Sequence, residues 1–282
     1  MKTLRFLVNL VTIALFAATF CSCFAADRTK TQVQASTIMS NVKKGKPVHL
    51  VNKIIMGDLD FTDVAKHHIL NANMLQCDVQ SNILFENCIF MGKVTANGKR
   101  GNTAIQTRFM SNLIFTGCDF RGVVDFDNAT VFGMVNFSRT TFREDASFNN
   151  LAAWAKDSYF SEMKAEKRFT MIYASFAGNL TFLNAAFAGV ASFQETSTNG
   201  KLVFNNSVFN ERAGFDMMQT LGNAFFNYTR FEKFTDFSQS RFFGVVEFLN
   251  ANFEQNANFV KTKFAISVNF DGVDRYMLII DN

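Results

Sequence analysis

Large apolar side chains return along the second half of this chain at a fixed interval. Phe182, Phe193, Phe204, Phe215, Phe226, Phe237, Phe248, Phe259 and Phe270 stand eleven residues apart in one unbroken register. Phe187, Phe209, Phe231, Phe242, Phe253 and Phe264 form a second register, five residues behind the first. Two residues before each Phe the side chain is mostly small, as at Ala185, Ala191, Ser207, Ala213, Ala224, Thr229, Thr235, Ala251 and Ala257. Side chains of extended backbone alternate between faces, so the small residue and the Phe share one face. The residue between them points out, and Arg230, Asp236, Arg241, Glu247, Asn252, Asn258 and Lys263 in those positions suit a solvated surface. Alternating steps of five and six residues do not hold one stripe on a helix of 3.6 residues per turn. The pattern predicts short strands, and its fixed period predicts structural units stacked on their neighbours, a solenoid.

Segments such as AAFAGVASF (Ala185 to Phe193) and ANFEQNANF (Ala251 to Phe259) resemble the Phe-centred variety of the pentapeptide-repeat family, over roughly residues 75–275. The resemblance implies an all-β fold, a right-handed quadrilateral β-helix in which each side takes one pentapeptide, Phe fills the centre and the small residue sits beside it. The five-six alternation here implies about 22 residues per coil rather than the family's usual twenty, with the extra residue bulging at alternate corners. A flattened coil of eleven residues is the alternative, though too narrow to hold two inward Phe. From near residue 50 the chain supplies about ten coils, a rod of roughly 50 Å at a strand spacing of ~4.8 Å.

A 22-residue register sets four inward columns. Three are almost wholly aromatic: Phe160 to Phe270, Phe187 to Phe253, and Met171 to Phe259. The fourth reads Trp154, Phe176, Thr198, Thr220, Phe242, Phe264, so two neighbouring coils lose their aromatic plug within Glu195 to Gly200 and Met217 to Gly222. These segments read as irregular and stacked together, either tolerated loops or a ligand site with Thr198 and Thr220 as candidate contacts. An earlier run, Phe109, Phe115, Phe120, Phe126, Phe137, Phe142 and Phe148, is out of phase by a single residue inserted before Trp154, and Val131 and Phe132 mark a second slip. Lys93 to Thr103, with Lys99 and Arg100, reads as an exposed basic loop.

Solenoid ends need caps against exposed core and strand edges. Residues 35–44 predict a short helix, with Ser36 as candidate N-cap, Ile38, Met39 and Val42 on one face, and Gly45 as stop. This helix closes residues 26–47, a linker and N-terminal cap, and residues 48–282 form the repeat β-helix, opening with Val48 to Val51 and Ile54 to Phe61. At the far end Tyr276 to Ile280 is an apolar run that either caps the last coil or pairs with another copy as a homodimer.

The first residues change the picture of where the rod works. Lys2 and Arg5 precede an apolar stretch from Phe6 to Phe20, small residues follow around Ser22 to Ala26, and no acidic residue appears before Asp27. This is the layout of a signal peptide over residues 1–25, with cleavage near 22–26, and it predicts export to the periplasm, cell surface or medium. One reading cuts after Ala25 or Ala26. The other acylates Cys23, with Ser22 before it, although Phe20 stands where a lipoprotein signal usually has Leu. Only that lipid would hold the rod on a membrane, since the apolar run is short for a span and carries Asn9.

Of 282 residues, 28 are basic and 24 acidic, and removing Lys2 and Arg5 with the leader leaves 26 against 24, about +2. Such a balance speaks against nucleic-acid capture, which needs a concentrated basic face, and against duplex mimicry, which needs an acidic one. Cys77, Cys88 and Cys118 follow the leader. Cys88 and Cys118 each precede a Phe by two residues and read as small core side chains, while a Cys77–Cys88 disulfide is conceivable in an oxidising compartment. His49, His67 and His68 all precede the regular repeat, no CxxC occurs, and no Gly-rich phosphate loop or distinctive carboxylate pair is present, so no metal, cofactor or catalytic residues are expected. The predicted role is a non-catalytic exported scaffold whose faces bind an envelope or extracellular protein or polysaccharide. Val203 and Phe225, outward and stacked with Val208 nearby, are the candidate apolar contact. Inhibition of a topoisomerase by duplex mimicry, known for some pentapeptide-repeat proteins, is one alternative, and a passive spacer is another. A regular Thr row for ice binding is missing from the outward column Thr181, Val203, Phe225, Glu247, Asn269.

Overall fold

The computed structural model describes residues 30–64, 67–71, 73–154 and 157–281, so the leader and Cys23 lie outside the described residues. The chain is an all-β solenoid of about eleven turns with one helix, residues 35–43, at its N-terminal end. Each turn gives one short strand to each of four sheets, which collect ten, ten, ten and eleven strands. In chain order within a coil we call them sheet I (the Phe182 column), II (Phe187), III (Phe193) and IV (Thr198). Strands of successive coils pair in parallel, 22 residues apart, as in Leu180 with Leu202 and Ala186 with Val208. The strand Thr31–Gln34 stacks on Lys53–Met56 in sheet II, ahead of the expected start near residue 50.

The eleven-residue period has a backbone cause. After every sheet I or III Phe the chain turns through a residue with positive φ, as at Asn184, Glu195, Asn206, Met217, Tyr228, Gln239, Asn250 and Lys261, with φ from 51° to 60°. Asn tolerates this left-handed conformation better than most residues, which explains its recurrence. Ala185 N–H donates to the Phe182 carbonyl at 3.1 Å and closes the tight turn. The six-residue steps fall at the other two corners, after sheets II and IV, so the longer corner does alternate with the tight one.

Phase is broken once. Pairs on either side of Ala153 are 22 apart up to Val131 with Ala153, but 23 apart for Ala152 with Ser175 and Val135 with Ser158. The extra residue therefore falls after Ala153 and before Ser158, not before Trp154. Ala153 points inward and Trp154 turns out to solvent, because keeping the ladder in register to Ala153 fixes which of the two faces the core. Val131 is likewise inward and in step with Phe109, so Phe132 is the outward neighbour and no slip occurs there.

Inside, rings stack coil upon coil. Phe182 and Phe204 lie 4.7 Å apart at 3°, Phe187 and Phe209 4.6 Å apart at 3°, and sheet III rings cross sheet I rings edge-on, as Phe182 with Phe193 at 75°. Where Ala165 leaves sheet II without a ring, Phe169 takes the neighbouring small position and reaches Phe142 and Phe187, at 6.0 and 5.4 Å. Volume is conserved although the pattern is not.

The helix α1 (Ala35–Lys43) buries Ala35, Ile38, Met39 and Val42 against the first coil. Its N-cap is Gln34, in extended conformation, with no side-chain cap bond, and Ser36 lies inside the first turn. The preceding strand runs directly into the helix, which moves the cap two residues earlier than expected. Gly45, at φ 68°, donates its N–H to the Val42 carbonyl at 2.9 Å and ends the helix. The basic stretch near Lys99 is a hairpin rather than a loop: Asn97–Arg100 pairs antiparallel with Thr103–Gln106. His67–Asn71 pairs antiparallel with Met74–Cys77, and the two hairpins join where Met74–Val79 runs parallel to Ala104–Phe109. They form a small lobe inserted between sheets III and IV in two successive coils.

Candidate functional site

Val203 and Phe225 are cross-strand partners on the outer face of sheet I, both half-buried. Val208 lies around the tight corner on sheet II, paired with Ala186 and Arg230, so the three do not share a face. Thr198 and Thr220 are inward and buried, in the regular strands Ser197–Thr198 and Gln219–Thr220. Sealed from solvent, they cannot touch a partner, and the segments around them are ordinary coils rather than irregular loops. Thr198 Oγ1 donates to the Gly178 carbonyl at 2.6 Å, whereas Thr220 Oγ1 is buried with no partner.

The small residue that follows each tight corner is more than filler. Ser207 Oγ donates to the Phe182 carbonyl at 2.6 Å, Thr229 Oγ1 to Phe204 at 2.8 Å and Ser240 Oγ to Phe215 at 2.6 Å, each tying one coil to the one before. Cys88 and Cys118 occupy the same place, their thiols directed at the carbonyls of Leu50 at 3.4 Å and Phe85 at 3.6 Å. All three described cysteines are free and buried, and burial pushes the Cys77, Cys88 and Cys118 thiols up, away from the reactive thiolate.

Charge is gathered on particular faces. On sheet II, Arg143 Nε lies 2.7 Å from Asp119 and its Nη1 3.1 Å from Glu166, while Arg121 reaches Asp119 at 3.4 Å. Sheet III carries Asp125 and Asp216, both held above the ordinary carboxyl value, chiefly by burial and then by the neighbouring charges of Asp127 and Asp236 respectively. On sheet IV the outward residues Thr130, Ala152, Ser175, Ser197 and Gln219 are uncharged. Arg108 precedes them, forked onto Asp78 at 2.7 and 2.8 Å, and Arg241 follows.

One surface was not foreseen. The corner position just past each sheet IV strand forms a backbone ladder, Phe132 N–H donating to Phe109 and Trp154 N–H to Val131, both at 2.9 Å. Met110, Phe132 and Trp154 occupy it in consecutive coils, and Leu221 and Phe243 further along, with Ala177 and Asn199 between. Trp154 is 65% exposed, Phe132 41%, Leu221 53% and Phe243 46%. The Phe132 and Trp154 rings lie 6.3 Å apart at 17°. Their 22-residue spacing was in the sequence, one step beyond the inward column, but placing Trp154 in the core hid it.

Residues 104–151 match the family model described as pentapeptide repeats (9 copies). The same paired register runs on from that segment through Lys263–Phe264. The chain is a pentapeptide-repeat protein. No curated protein and no solved structure matches it. Pentapeptide-repeat solenoids are generally non-catalytic. Among the described residues of this one, no group of three or more His, Cys, Asp or Glu is placed to hold a metal ion, and no helix is long and apolar enough to cross a membrane.

Proposed function

We propose that this pentapeptide-repeat rod is a non-catalytic exported scaffold that binds an envelope or extracellular protein or polysaccharide through its outer faces. The observation that carries the reading is the segregation of the surface: long parallel faces, some charged and internally paired, others uncharged and partly apolar, repeated coil after coil without a cleft that gathers a nucleophile and a base. The tripartite leader supports export, with Cys23 as the residue that lipid would modify. Near-balanced charge, and acidic groups already engaged by arginine on sheet II, weigh against duplex mimicry of a topoisomerase substrate. Val203 and Phe225 remain the candidate contact on sheet I, and the apolar run at Tyr276 to Ile280 a candidate for homodimer formation.

The test is to express the full-length protein in its own host, crosslink the envelope, and identify the mature N-terminus and the captured molecules by mass spectrometry. A reproducible partner on a processed chain is expected. An unprocessed chain recovered from the cytosol would end the export reading, and a processed chain with no partner would leave the rod a spacer.

A further inference from the structure

We propose that the outer face of sheet IV, with the aromatic ridge along its edge, binds a neutral extended polysaccharide laid parallel to the rod axis. This deepens the scaffold reading and rests on it. Trp is among the residues most buried on average, so a Trp held two-thirds exposed beside a second exposed ring leaves a large apolar surface in water. The rings do not stand over a cavity that would receive a protein's side chain. They rise beside a flat strand ladder, Thr130, Ala152, Ser175 and Ser197, whose short side chains let a ligand lie against the sheet and offer hydroxyls to it.

Charge chooses among ligands. Neither the strand ladder from Thr130 to Gln219 nor the ridge from Met110 to Phe243 contains a charged residue, and Arg108, at one end, is already paired with Asp78. A polyanion would find no row of cations here, and a polycation no row of carboxylates. A neutral sugar polymer fits on both counts, its axial C–H faces against the rings and its hydroxyls toward Ser, Thr, Asn199 and Gln219. The repeat matches as well. Coils advance by ~4.8 Å, close to the advance of one hexose in an extended β-linked chain, so successive sugars meet equivalent positions on successive coils.

Trp154 is the only tryptophan in the chain, so its fluorescence reports this surface alone. Titrating the full-length protein with cellohexaose and with chitohexaose should give a saturable blue shift with at least one of them, and polygalacturonate should give none. Phe132→Ala should weaken the response about tenfold with an unchanged melting curve, while Phe225→Ala on sheet I leaves it intact. The proposal is overturned if neither hexaose shifts Trp154, if Phe132→Ala binds as tightly as the parent, or if the shift appears on concentrating the protein alone, which would mark a second copy as the occupant. Equilibrium dialysis with the same hexaoses separates the two readings. Binding that is silent at Trp154 and lost in Phe225→Ala keeps the polysaccharide scaffold and moves it to sheet I. No binding by dialysis, together with a crosslinked envelope protein, keeps the scaffold without the sugar, and neither result removes both.

Discussion

Two threonines in equivalent positions show how much a single hydrogen bond decides inside this rod. Thr198 and Thr220 stack in sheet IV where other coils place Phe, and both hydroxyls are sealed in the core. Thr198 has the Gly178 carbonyl and Thr220 has nothing. A buried hydroxyl without a partner keeps its desolvation cost, roughly 1–3 kcal/mol, whereas a satisfied one contributes about 1 kcal/mol net. Thr220→Val should therefore raise the urea midpoint and Thr198→Val should lower it, each by about 1 kcal/mol in stability. Equal losses in both would sink the distinction. The sequence showed that these coils lacked a ring; it could not show which hydroxyl found a carbonyl, because that depends on how the wide corner one coil back carries Gly178.

At the scale of the element, the corners carry the fold's geometry. The wide corner after sheet IV holds Gly200, Gly222 and Gly244 in line, and a Cβ on Gly222 would stand 2.5 Å from the Gly200 carbonyl oxygen, a backbone atom fixed by the ladder. Gly214 lies in a strand, and a Cβ there meets only Asp216 Oδ1 at 3.4 Å and Ser192 Oγ at 3.6 Å. We expect Gly222→Ala to lose about 1–3 kcal/mol through overpacking, and Gly214→Ala to be neutral or to gain up to about 1 kcal/mol by restricting the unfolded chain. Thermal melts of the two variants check this directly, and a tolerated Gly222→Ala would mean the corners are looser than the ladder implies. Strand positions were legible from the small-any-Phe alternation. The two hairpins near His67 and Asn97 were not, since their pairing is antiparallel and outside the repeat.

For the whole molecule, a solenoid's stability is roughly a sum over coils and their nearest-neighbour interfaces. Deleting residues 204–225 removes one 22-residue turn and joins Val203 to Phe226 in the same register. That variant should fold, melt cooperatively, and shorten the rod by ~4.8 Å in small-angle scattering. Deleting residues 204–223, twenty in all, carries every later Phe past its corner and should give a protein with lost or broadened melting. Should the shorter deletion fold as well as the longer, the coil would not be 22 residues.

The sequence by itself determined the repeat, its parity and its length per turn, because an inward Phe every five or six residues is compatible with only one alternation of strand and corner. It also marked Cys88 and Cys118 as small core side chains, and it carried the 22-residue spacing of Phe132, Trp154, Leu221 and Phe243. Which of Ala153 and Trp154 faces the core was decided only in three dimensions. Both fit a local pattern, and the choice rests on the parallel ladder with Val131, a contact between coils that no single repeat contains. That one register decision turned a supposed core residue into the most exposed aromatic of a continuous ridge, and it moved attention from sheet I to sheet IV.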